Sequence, residues 1–126
     1  MGFLAGLFEQ TVSELPVAPV VIAADAVVDP GALYRIAGRD APTVLTMQPR
    51  ALADVASVRF AVKVYTPAPA PPGGTLTIVV PAGQQIQAAG GALASNVVLP
   101  NQALGMYREW VCDTEGRWLM VEGGWS

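Results

Sequence analysis

Hydrophobic and polar residues alternate along much of this chain, in short runs separated by glycine and proline. The clearest case is Gly74–Ile86, where Leu76, Ile78 and Val80 fall on one face and Thr75, Thr77 and Val79 on the other, because side chains alternate along a strand. Pro81-Ala82-Gly83 then predicts a turn, with a second short strand beginning towards Ile86. Val58–Tyr65 repeats the pattern, with Val58, Phe60, Val62 and Val64 predicted to face inward and Arg59, Lys63 and Tyr65 outward. Further strands are predicted at Val20–Ala23 (an edge strand, with Pro19 before it), Ala32–Ile36, Thr43–Met47 and Ala94–Leu99. Leu104–Cys112 and Trp118–Glu122 should form a hairpin across Asp113–Arg117, with Gly116 supplying a positive φ.

Residues 50–57 fit either a single helical turn or a loop crossing the core, and the Pro/Gly run at 67–74 reads as an extended hairpin loop. Short strands punctuated by turns every eight to twelve residues indicate an all-β domain. The expected fold is a small antiparallel β-sandwich, jelly-roll-like, over residues 20–126.

The first turns of sequence break that period. Phe3, Leu4, Leu7 and Phe8 share one helical face, Glu9 and Glu14 interrupt the apolar run, and Pro16 ends it. Residues 1–19 are therefore an N-terminal arm, helical or extended. It either packs on its own domain or docks on a partner subunit or larger scaffold, and Phe3, Leu4, Leu7 and Phe8 are the candidate partner-binding residues. The arm has no Lys or Arg with which to hold a lipid surface. Lacking a basic n-region, it does not resemble a signal peptide.

Composition sharpens the picture. Of 126 residues, 52% are apolar and 13% charged, about half the usual charged fraction. A domain this small has too much surface to hide so many apolar side chains by itself, which predicts an oligomer. The seven cations are scattered, which argues against a nucleic-acid partner. No apolar run approaches a membrane span. Histidine is absent and Cys112 stands alone, so the commonest general base and metal ligand are missing. Cys112 is expected to be a small buried residue. No phosphate-cradling or metal-binding motif occurs, and neither cofactor nor metal is expected. Glu109, Asp113 and Glu115 are the one acidic concentration, read as hairpin acids rather than a catalytic pair. Trp110 and Trp118 are expected in the core or an interface, with a sugar-stacking platform as the alternative.

Residues 32–123 resemble small β domains of tailed-bacteriophage virion proteins, the modules of tail fibres and head appendages. The resemblance is carried by Tyr34–Ile36, Thr43–Met47, Phe60–Val64, the Gly-x-x-Thr-Ile-x-x-Pro-x-Gly-x-x-Ile pattern of Gly74–Ile86 (here with Thr77-Ile78), Val97–Leu99 and the closing Asp113–Glu122 hairpin. Thr114 and Glu115 before Gly116, and the insertion at 67–72, depart from the pattern. The resemblance implies a non-enzymatic, trimeric virion component: a capsid decoration (cement) or fibre-base protein. Its partners would be other copies of itself and a major capsid or tail protein. A glycan-binding module of a phage appendage is the alternative.

Overall fold

In a computed structural model of the chain, residues 15–66, 74–100, 102 and 105–121 are described. Among these residues, ten strands and one helical turn follow in order: β1 (Ala26–Val28), β2 (Leu33–Ala37), β3 (Thr43–Met47), α1 (Leu52–Val55), β4 (Arg59–Thr66), β5 (Leu76–Val79), β6 (Gln85–Gln87), β7 (Leu93–Ala94), β8 (Asn96–Leu99), β9 (Tyr107–Cys112) and β10 (Arg117–Met120). They build a four-stranded sheet, β1-β3-β5-β8, and a six-stranded sheet, β2-β4-β9-β10-β6-β7. The inner faces of the two sheets enclose one apolar core, and the expected all-β sandwich is what the chain forms.

Pairing departs from the antiparallel expectation. β1 with β3, β3 with β5, β2 with β4 and β6 with β10 are parallel, whereas β5 with β8, β4 with β9, β9 with β10 and β6 with β7 are antiparallel. From β1 to β6 the chain alternates between the sheets, and within β1–β5 the neighbours (β1 with β3, β2 with β4, β3 with β5) are two strands apart in sequence. It winds around the core, laying one strand in each sheet per turn. Each return to a sheet then runs in the same direction as the strand before it. Period-two alternation is the same for both pairing directions and cannot distinguish them. For the same reason the 67–74 segment is not a hairpin loop. It joins β4 in one sheet to β5 in the other.

Most faces follow the alternation. Phe60, Val62, Val64, Leu76, Ile78 and Ile86 have no exposed surface. Phe60 sits between the two indoles, its ring centroid 6.0 Å from that of Trp110 and 6.5 Å from that of Trp118. The strand expected at Val20–Ala23 is reduced to isolated bridges, Val17 with Leu33 and Ile22 with Ile36, along the free edge of β2. Between them Pro19 has no N–H to give, and the Arg35 guanidinium instead donates to the carbonyls of Ala18 and Pro19 at 3.2 and 3.1 Å. The 94–99 run breaks at Ser95, where the chain passes from the six-stranded sheet into the four-stranded one.

Buried glutamines supply the polar joints. The Gln102 side chain, fully buried, donates to the carbonyls of Ala41 (2.9 Å) and Thr75 (3.0 Å) and accepts the Arg39 N–H (2.9 Å). Gly74 lies so close to this loop that a Cβ there would stand 2.1 Å from the Ala41 oxygen. At the opposite turn Gly116 has φ +82, and a Cβ would meet Leu52 Cδ2 at 2.8 Å and Gln84 Cγ at 3.3 Å.

Gly116→Ala therefore combines left-handed strain with a contact against α1. It is expected to lower unfolding free energy by about 1–3 kcal/mol, measured by urea denaturation. Gly90→Ala, with nothing within 4 Å and no positive φ, should stay within about 0.5 kcal/mol of wild type.

Candidate interaction surfaces

The acidic cluster resolves into two separate structural devices. Glu109 projects from β9 on the outer side of the six-stranded sheet yet is only 4% exposed. Its Oε2 accepts from Arg59 Nη1 at 2.6 Å and its Oε1 from the Tyr107 hydroxyl at 2.8 Å. Burial, followed by this bond to a carboxylate, pushes the Tyr107 phenol well above its ordinary value. Asp113 occupies the β9–β10 turn. Its Oδ1 accepts the N–H groups of Glu115 (2.8 Å) and Arg117 (2.9 Å), and its Oδ2 accepts Arg117 Nε at 2.6 Å. Arg117 also bridges to Glu115 at 3.5 Å. Each carboxylate is committed to holding backbone or a cation, and they do not form a facing pair across a cleft.

The aromatic candidates divide likewise. Trp110 and Trp118 are fully buried, diagonal to one another on the β9–β10 ladder, because Trp118 stands opposite Cys112 and Trp110 opposite Met120. Both indole N–H groups are satisfied, Trp118 by Gln84 Oε1 and Trp110 by the Gln87 carbonyl, each at 2.9 Å. Neither ring can stack on a ligand. Trp125 lies outside the described residues, as do Phe3, Leu4, Leu7 and Phe8. Cys112 is 2% exposed, and burial pushes its thiol up to about 11, far from the thiolate character of a nucleophile. Among the described residues no group of three His, Cys, Asp or Glu side chains could hold a metal, and no helix is long and apolar enough to cross a membrane.

The two outer faces of the sandwich have different chemistry. On the four-stranded sheet the register aligns Val27, Thr46, Val79 and Asn96 in one row and Val44, Thr77 and Val98 in the next. None of the seven is charged. Val27 is 64% exposed and Val98 53%, one on each edge strand. An open groove of about 360 Å³ runs beside Ala26, Val27, Val44 and Thr46, with Asp25 at its rim. Neither edge strand carries the charge or proline that commonly guards an open sheet edge. Of the outward residues expected on Gly74–Ile86, Thr77 and Val79 lie at the centre of this face, whereas Thr75 stands just before β5. The rest of the face was hidden in the sequence, because it depends on β1, β3 and β8 becoming neighbours of β5.

The outer face of the six-stranded sheet carries Arg35, Arg59 and Lys63 across β2 and β4, with Tyr107 and Glu109 on β9. Arg35 lies over the half-exposed Tyr65 ring, 5.5 Å from its centroid. A scan against protein-family models, a search of curated proteins and a search of solved structures each return no match for this chain.

The Asp113 carboxyl is held below its ordinary value of 3.8, first by the Arg117 N–H and then by the Arg117 side chain and the Glu115 N–H. A depressed folded-state value gives stabilisation that is complete above the ordinary value and lost as pH falls through the folded one. The stability deficit of Asp113→Ala should therefore be constant from about pH 7 to pH 5 and shrink below about pH 4. Urea midpoints taken across that range test it.

Proposed function

We propose that this chain is a non-enzymatic structural protein of a bacteriophage particle, a capsid decoration (cement) or fibre-base protein. It assembles as a homotrimer and attaches through residues 1–19 to a major capsid or tail protein. The observation that carries the reading is the uncharged outer face of the four-stranded sheet, bounded by two unguarded edges. Rows of Val and Thr with half or more of Val27 and Val98 in solvent suit a surface that meets protein rather than water. Identical copies, each of net charge −3, can approach through such a face without bringing like charges together.

The resemblance of residues 32–123 to phage modules supplies the particle, and the low charged fraction supplies the need for covering subunits. The commitment of Glu109, Asp113 and Glu115 to structural contacts supports a role without catalysis. The glycan reading loses Trp110 and Trp118, both buried, and no other observation favours it.

In size-exclusion chromatography with light scattering, the protein should run at three times its 13.1 kDa chain mass. Thr46→Lys with Val79→Lys should reduce it to a folded single chain, and a wild-type protein that stays monomeric at high concentration would remove the subunit-interface reading. Attachment is tested by co-sedimentation with capsids or tails assembled from the structural proteins encoded beside it. Burying one large apolar side chain is worth about 1.5–3 kcal/mol, so Phe8→Ala should weaken binding about tenfold or more. Deleting residues 2–15 should abolish binding while circular dichroism still reports the β domain.

A further inference from the structure

Burial on the outer face of the six-stranded sheet points to a covering layer. In a bare two-layer sandwich this face meets water, yet Ala61 is 0% and Glu109 4% exposed at its centre, side by side in the β4–β9 register. A carboxylate is almost never buried so deeply unless paired, and although Glu109 is paired with Arg59 and Tyr107, the outside of a sheet is an unexpected place for it. The face is also cationic. Among the described residues, Arg35, Arg59 and Lys63 are opposed on this face by Glu109 alone, on a chain whose net charge is −3.

The chain has a segment of matching character. Residues 1–14 combine the apolar stripe Phe3, Leu4, Leu7 and Phe8 with Glu9 and Glu14, and contain no Lys or Arg. The segment joins the sandwich at the right place. Pro16 accepts the Leu33 N–H at 2.9 Å, so the chain enters along the free edge of β2, the border of this face. Reach is sufficient, because fourteen helical residues extend about 21 Å while β9 lies two strand spacings, about 10 Å, from β2.

We propose that residues 1–14 dock on the outer face of the six-stranded sheet of their own chain, with the apolar stripe over Ala61 and its neighbours and Glu9 and Glu14 facing Arg35 and Lys63. Docking would cover the Arg59–Glu109–Tyr107 group and strengthen its bonds by excluding water. The attachment proposed above would compete with this docking for the same apolar side chains. Nothing in the docking requires a particle, so it stands or falls apart from that function.

A nitroxide on Ala5→Cys tests it in the full-length protein in solution. Cys112 can remain, since its buried thiol does not compete for the label. Amide signals of Ala61, Lys63 and Val111 should lose most of their intensity, while those of Val27, Thr46 and Val98 keep theirs. Lys63→Glu should restore most of the lost intensity, and Glu9→Lys added to it should bring the loss back. Loss at the four-stranded face, or no loss at all, would overturn the proposal, the second result leaving residues 122–126 to cover the face. Spin-labelled chains co-refolded with isotope-labelled chains lacking the nitroxide should show no broadening; broadening in that mixture would place the arm on a second copy and overturn docking on the chain's own sheet. Insensitivity to both charge substitutions would overturn the pairing of Glu9 with Lys63.

Discussion

Two indole N–H groups buried in an apolar core must each find an acceptor, and much of this fold answers that demand. An unpaired buried N–H costs on the order of 1–3 kcal/mol. Trp118 finds the side chain of Gln84 and Trp110 the carbonyl of Gln87, so the short β6 and the turn before it are held where the rings require them. Gln87 also accepts the Met120 N–H, and Gln84 reaches the Arg50 carbonyl. Three residues of strand, which would contribute little by ladder bonds alone, thus become the joint between the hairpin, the 81–84 turn and the start of the α1 loop.

The same device recurs at the other end of the molecule. Gln102 holds the 39–43 loop against the entrance to β5, and Gly74 permits the close approach. In both places a neutral amide, able to donate and accept, does what a charged group would do only with a larger desolvation penalty. The low charged content of the sequence is consistent with such joints.

Strand positions were legible in the sequence because a half-buried strand imposes period two on its residues. The alternation gives Thr43–Met47 to the residue and puts Leu76, Ile78 and Val80 on the correct face. What was not legible depends on partners. Parallel and antiparallel neighbours leave the same alternation, so the winding between sheets and the crossing at 67–74 could not be seen. Gln84, Gln87 and Gln102 look like surface residues until a buried indole or a loop carbonyl stands beside them. The uncharged face was half legible, through Thr77 and Val79, and its completion by Val27, Val44 and Val98 awaited the strand order. Glu109 is legible as an acid, but its burial belongs to a face that period-two reasoning assigns to solvent.

The winding of the chain between sheets bears on how it folds. No strand from β1 to β5 pairs with its successor in sequence, so no early hairpin can form and wait for the rest. β1 has no ladder until β3 arrives, and β2 none until β4 does. Each loop must close before any contact rewards it, which places the first half of this protein among slow, high-contact-order folders. On the ribosome the sandwich can close only when the last hairpin, with both indoles, has emerged. Until then the uncharged strands of the four-stranded sheet are exposed and unpaired, which makes the nascent chain, more than the finished one, a natural client for a chaperone.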